Sequence, residues 1–278
     1  MLTDYHVHLR PDQADTPAQR FFTPANAERY RAVASERGIE ELGVSEHVYR
    51  FRQALDVWRH PFWAGQAVDD LDDYCGFVRQ ETDLRLGIEA DFLPGREDRM
   101  ANLLEAADWD YVIGSVHFLR DQAVDNEDEW DVWRDARSPD EVWRRYFQTL
   151  GEAAASGLFD ILAHPDLVKV WGADRPRPDG DLRRFYELAM EGIAESRIAI
   201  EVSTAGLRKP VGEIYPDRAL LEWCLECGCP VALSSDAHVP DQLGYRYGDA
   251  MRLLGDLGVE ELCVFDRRRR RLEPLGEP

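Results

Sequence analysis

LTDYHVHL, residues 2–9, opens the chain as a strand-like apolar run and ends on two histidines one residue apart. Alternate residues of a strand share a face, so His6 and His8 project together, roughly 7 Å apart along the chain. Two neutral imidazoles at that separation can close on one divalent ion. Two solvated histidines near a strand end are the plainer alternative, and the other histidines decide between them.

Six comparable runs follow: IEELGVS (39–45), LRLGIEA (84–90), WDYVIGSVH (109–117), FDILAH (159–164), IAIEVST (198–204) and PVALSSD (230–236). ELCVF (261–265) is a weaker eighth. Helical stretches lie between them. Ser138-Pro139-Asp140-Glu141 is a capping box with proline at the first helical position. Val142, Tyr146, Leu150 and Ala153 follow at helical spacing, and Gly157 closes the helix. A second helix runs from Asn26 to Arg37 and stops at Gly38. Strand and helix alternating seven or eight times predict parallel strands covered by helices. A closed (β/α) barrel leads, with an open doubly wound sheet second. No linker, low-complexity tract or repeat divides the 278 residues, which read as one domain over 1–278. The arginine run 267–271 reads as a solvated tail.

The formal net charge is -21. That argues against a general nucleic-acid binder, whose footprint is a basic face, and against docking on anionic membranes. An anionic substrate stays open, because a metal cluster reverses the local sign of the field. There is no basic-then-apolar leader and no run of 18 apolar residues, and the five cysteines suit a reduced, cytoplasmic chain. Cys224, Cys227 and Cys229 resemble a metal motif at first sight. They read better as the end of an apolar helix stopped by Gly228, with no fourth ligand nearby. Oligomeric state leaves no trace in the sequence.

The polar residues collect where strands end. His6 and His8 close the first strand, Glu46 and His47 follow the second, and Glu89 ends the third. His117 ends the fourth, His164 the fifth, and Asp236 and His238 follow the seventh. In a parallel barrel these ends converge on one face, so six of the seven histidines share one mouth. His60, in RHPFW, falls in a loop. The donors are all nitrogen and oxygen, which suits Zn, Mn or Fe. They are too many for one tetrahedral ion, and Glu89 can bridge, so two or three divalent ions are expected. Such a site makes hydroxide from water at neutral pH and clamps a phosphate ester. Metal-assisted phosphate ester hydrolysis is the chemistry inferred, with amide hydrolysis close behind.

HVH, SEH, GIEADF, DYVIGSVH, ILAHPDL, STAGLRKP and SSDAH occur in this order between residue 4 and about 250. Together they resemble the histidinol-phosphate phosphatases of the PHP (polymerase and histidinol phosphatase) superfamily. The resemblance implies a distorted (β/α)7 barrel with a trinuclear metal site at the C-terminal ends of the strands. It implies hydrolysis of L-histidinol phosphate in histidine biosynthesis, or of another small phosphate ester or a nucleotide by the same machinery. By this resemblance His6, His8, Glu89 and Asp236 hold the first metal, and Glu89 bridges to a second held by His117 and His164. His47 and His238 hold the third. Many relatives place another histidine shortly after HxH, where this chain reads LRPDQADTP. Asp12 or Asp15 can substitute, and Asp12 is preferred. Glu46 orients a ligand from behind.

For phosphate the resemblance points to Arg208, whose guanidinium matches two oxygens in one plane, with Lys169 and Lys209 beside it. For both lysines, ordinary solvated surface is the alternative. Ser115 and Ser203 are possible donors near strand ends. The implied mechanism is in-line attack by a metal-bridging hydroxide held by His6, His8, Glu89 and Asp236, with charge neutralised by the metals and Arg208. The proton for the leaving alcohol comes from a metal-bound water or an acidic residue. YRFRQALDVWRHPFW (49–63) is either a lid or an extra packed helix. A non-catalytic domain retaining the fold is a third hypothesis, set against nearly intact ligands.

Overall fold

The structure, a computed structural model, describes residues 1–11 and 18–276. Seven strands follow one another across a single sheet in chain order, every neighbouring pair parallel. They are β1 (Thr3–Asp4), β2 (Glu41–His47), β3 (Arg85–Asp91), β4 (Tyr111–Ser115), β5 (Ile161–Leu162), β6 (Ala199–Ser203) and β7 (Val231–Ser234). Beyond the ends of β1 and β7 the chain closes the ring. Val7 pairs in parallel with Ala237, His8 N donates to Ala237 O at 2.8 Å, and Ala237 N donates to His6 O at 3.2 Å. Lower on the same seam the Asp4 carboxylate accepts from Ser235 N at 3.0 Å and Gly244 N at 3.2 Å. The result is a distorted (β/α)7 barrel, irregular at this seam and at the two-residue strands.

One main helix follows each strand: α1 (Pro24–Glu36), α2 (Leu71–Glu81), α3 (Glu97–Leu104), α4 (Pro139–Ala155), α5 (Arg183–Ser196), α6 (Arg218–Glu226) and α7 (Tyr247–Asp256); short helices at Ala18–Phe21 and Pro61–Gln66 precede α1 and α2. Their ends obey the local chemistry. Ser138 Oγ accepts from Glu141 N at 3.3 Å with Pro139 opening α4, and Thr23 caps α1 ahead of Pro24. Val142, Tyr146 and Leu150 of α4 are buried, as their spacing predicts.

The barrel interior has two layers, set by the two-residue period of the strands. The lower layer is apolar and includes Tyr5, Tyr111, Ile113, Ile161, Ala199 and Ala232. Tyr111 lies across it, and a Cβ on Gly87 would meet that ring at 2.3 Å, so glycine is required there. Two residues further along β3 stands Glu89, in the polar upper layer.

Three expectations need correction. The first strand is only Thr3–Asp4; His6 and His8 lie past it, on either side of Val7, whose pairing with Ala237 is an isolated bridge rather than a continued ladder. The eighth apolar run is not a barrel strand. As β8 (Glu261–Asp266) it pairs antiparallel with β9 (Arg269–Pro274) and plugs the lower end, with Cys263 and Phe265 joining the lower layer. The arginine run is therefore no free tail: it forms the turn and second strand of this hairpin. Arg268 N donates to Asp110 O at 2.8 Å and Arg268 Nε to Asp160 at 2.9 Å. All five cysteines are free. Among the described residues no helix is long and apolar enough to cross a membrane.

Candidate metal centre

Glu89, 1% exposed on β3, is the hub. His47 Nδ1 approaches its carboxylate at 2.5 Å, His6 Nε2 at 3.2 Å, and His117 Nε2 and His164 Nε2 at 3.3 Å. His8 Nε2 lies 3.6 Å from Glu89 and 3.5 Å from Asp236 Oδ1. Four overlapping groups have the compactness a metal ion needs: His6–His8–Asp236, His6–Glu89–His164, His47–Glu89–His117 and His8–His47–His238. These nearest-neighbour groups set His164 with His6 and His117 with His47. Two residues holding these side chains, His164 and Asp236, have φ of 24° and 51°. Left-handed backbone costs a non-glycine residue about 1–3 kcal/mol and gathers at functional sites.

A metal fits this donor set. His6 Nε2, both nitrogens of His8 and Glu89 Oε2 are buried with no hydrogen-bond partner among the described residues. Each buried, unpartnered polar atom costs roughly 1–3 kcal/mol, which a cation at their centre would remove.

Behind the histidines stand two carboxylates that the sequence reading did not single out. Glu201 Oε1 lies 2.7 Å from His6 Nδ1 and accepts from Ser234 Oγ at 2.6 Å, while Oε2 accepts from His164 N at 2.5 Å. Asp91 Oδ1 lies 2.8 Å from His117 Nδ1. Such partners fix which ring nitrogen faces a metal. The sequence carries little signal for either: Asp91 shares its strand with Glu89, and Glu201 is a single acid among apolar neighbours. Ser115 Oγ, at 2.6 Å, donates to Glu89, whereas Ser203 Oγ accepts from Ala205 N at 3.3 Å.

The electrostatics are those of a cation trap. Burial alone raises a carboxyl, yet His47, His6 and His117 together hold Glu89 well below the usual range. Burial is likewise outweighed at Asp236 by His6, His8 and His238. Burial lowers His6, but Glu89, Glu201 and Asp236 hold it well above its ordinary value. His117 is pushed up to about 10, against burial, by Glu89 and Asp91. His8 is driven well below by burial and then by His47 and His238.

The remaining predicted residues divide. Asp12 and Asp15 lie outside the described residues. Glu46 sits behind His8, 3.9 Å from Nδ1, and its carboxylate accepts from Leu9 N at 2.7 Å and Arg10 N at 3.2 Å. Arg208 Nη2 donates to Ser235 O and Asp236 O, both at 2.9 Å, tying down the chain that carries Asp236. Lys169 is not solvated: it is 3% exposed. Its ammonium meets Asp166 at 2.8 Å, Glu213 at 3.1 Å and Ile214 O at 3.0 Å. Lys209 is exposed and lines the cavity over the centre. His60 is buried and accepts from Phe62 N at 3.2 Å.

That cavity has an inner lobe of about 210 Å³, bounded by Glu89, His164, Asp236, Lys209 and Tyr215. It shares His47, His117 and Asp125 with an outer lobe of about 340 Å³. Tyr49, Phe62, Phe118 and Asp128 complete the outer lobe. Segment 49–63 thus supplies a packed wall. Phe51, Trp58 and Trp63 are buried, Tyr49 stacks on His47 at 4.6 Å, and Pro61–Gln66 is a short helix.

The family profile described as the PHP domain matches residues 23–205. A probable histidinol-phosphatase of Deinococcus radiodurans is 35% identical over 281 residues, covering 98% of this chain and 99% of that protein. The histidinol-phosphatase of Bacillus subtilis is 26% identical over 183 residues, covering 61% and 68%. Among solved structures, the histidinol phosphate phosphatase of Lactococcus lactis, complexed with Zn, L-histidinol and phosphate, superposes with a TM-score of 0.70 at 19% identity. That match covers 97% of this chain and 98% of that one.

Proposed function

This chain belongs to the PHP domain family, and from that premise we propose that it hydrolyses L-histidinol phosphate to L-histidinol and phosphate in a metal-dependent reaction. The observation that carries the chemistry is Glu89, one buried carboxylate with His6, His8, His47, His117 and His164 all within 3.6 Å. A non-catalytic domain has no use for such a concentration of buried ligands. His6, His8, Glu89 and Asp236 hold one ion in this reading, and Glu89 with His117 and His164 a second, a division that differs from the nearest-neighbour groups, where His164 goes with His6 and His117 with His47. His47 and His238, with Asp12, hold a third. Zn, Mn and Fe all suit these donors. Divalent ions supply Lewis acidity and hydroxide from water at neutral pH.

The chain's own residues do the rest. Glu201 and Asp91 hold the imidazoles of His6 and His117 in orientation. Arg208 fixes the turn carrying Asp236. The inner lobe, which borders Glu89 and Asp236, takes the phosphoryl group. The outer lobe offers Tyr49, Phe62 and Phe118 to a flat ring and Asp125 to a positive charge, which suits an imidazole-bearing amino alcohol better than an anionic nucleotide. In this reading residues 1–278 act as one domain in the cytoplasm, a compartment that five unpaired cysteines suit.

The test is phosphate release from histidinol phosphate, sugar phosphates, nucleotides and bis-p-nitrophenyl phosphate by protein loaded with Mn, Zn or Fe, beside His6→Ala and His8→Ala. Strong preference for histidinol phosphate, lost in both variants, supports the reading. Metal-dependent activity spread over the other esters would keep the site and sink the substrate.

A further inference from the structure

Tyr215 is 1% exposed and lines the inner lobe, yet its hydroxyl oxygen is buried with no hydrogen-bond partner among the described residues. The residue is nevertheless fixed in place. Its backbone pairs with that of Ser203, Ser203 N donating to Tyr215 O at 2.7 Å and Tyr215 N to Ser203 O at 3.0 Å. The ring stands edge-on to His164, 6.3 Å between centroids, and the Lys169 ammonium lies 5.5 Å from the ring centre. Gly206 passes so close that a Cβ there would meet Glu213 O at 2.1 Å and the ring at 3.0 Å. A locked side chain with an unspent donor is built for a ligand.

The ligand must bring an acceptor. Tyr215 borders the inner lobe and is absent from the outer one. Of the three cations first assigned to phosphate, Lys169 is spent on Asp166 and Glu213; Arg208 gives Nη2 to Ser235 O and Asp236 O but keeps Nη1 without a hydrogen-bond partner among the described residues; and Lys209 lines the inner lobe, so Tyr215 adds a neutral donor beside them. We propose that Tyr215 is a catalytic residue whose hydroxyl donates a hydrogen bond to a phosphoryl oxygen held over Glu89. This rests on the reading above only in taking the inner lobe as the phosphoryl site; it holds for any leaving group.

Tyr215→Phe keeps the ring and removes one oxygen. In metal-loaded protein, kcat/KM for histidinol phosphate and for p-nitrophenyl phosphate should fall roughly 10- to 100-fold, the worth of one hydrogen bond to a charged acceptor. Calorimetric affinity for inorganic phosphate should fall alongside. Inhibition by histidinol, metal content and Tm should hold, because the lost hydroxyl has no hydrogen-bond partner among the described residues. Unchanged phosphate affinity overturns the proposal. So does a weaker histidinol affinity with phosphate binding intact, or a Tm that falls with activity. If the wild type turns over p-nitrophenyl phosphate and ignores histidinol phosphate, the substrate reading fails while the Tyr215 test still runs.

Discussion

Glu201 touches three parts of the centre at once, through His6 Nδ1, His164 N and Ser234 Oγ. Glu201→Gln keeps its size and loses its charge. Metal affinity should fall about 10- to 100-fold, read by competition with a chelator, while turnover per bound metal changes far less. The ligands themselves were legible because histidine is scarce and its positions tracked strand ends. Glu201 and Asp91 were not, since an acid in a strand declares nothing until its facing imidazole is known. The raised His6 and His117 give a second prediction. In the metal-free protein both are shifted toward the protonated form, so a metal must displace protons to bind them. Loading at pH 7 in weak buffer should release protons, and apparent affinity should rise with pH. The sign is fixed by linkage. Stability contributed by protonated His117 is fully present below its unfolded pKa and is lost as pH rises toward about 10. The Tm gained on adding metal should therefore grow as pH rises; a gain that shrinks between pH 6 and 9 would contradict the assignment.

At the scale of elements, regular strands and helices were legible and the connections were not. Periodicity finds β2 or α4 because their hydrogen bonds are local or run along a ladder. Residues 164–169 and 203–215 are held by side chains that meet only after folding. Lys169 is the clearest case. Read as a phosphate ligand or as solvated surface, it instead joins the turn after β5 to the turn after β6 through Asp166, Glu213 and Ile214 O. Removing one partner of a buried ion pair costs about 3–5 kcal/mol, discounted here because Glu213 is 43% exposed at its side chain. Lys169→Met should lower the urea midpoint by an amount equivalent to about 2–4 kcal/mol. It should weaken phosphate binding only as far as Tyr215 loses its place. A direct phosphate contact would show the opposite pattern, with lost affinity at an unchanged midpoint.

Over the whole molecule, chemistry and stability sit at opposite ends of one barrel. The upper layer spends its interior on carboxylates and imidazoles that contribute little to folding without a cation. The lower layer must compensate with packing, and the hairpin β8–β9 completes it. That arrangement could not be read from ELCVF, which has the composition of any buried strand and gives no hint that it closes the barrel from below. Phe265, 1% exposed, meets Tyr5 edge-on at 5.5 Å between centroids, and its backbone N–H donates to Tyr5 Oη at 3.1 Å. Phe265→Ala should cost about 3–5 kcal/mol through lost burial and the cavity left behind, read from the urea midpoint. Because Tyr5 immediately precedes His6, this variant also tests whether the two layers are mechanically separate. With the layers independent, kcat/KM stays at the wild-type value at temperatures where the variant is fully folded. A loss of metal affinity in the folded variant would mean that the plug also sets the register of the His6–His8 segment, and that the lower layer serves the centre as well as the fold.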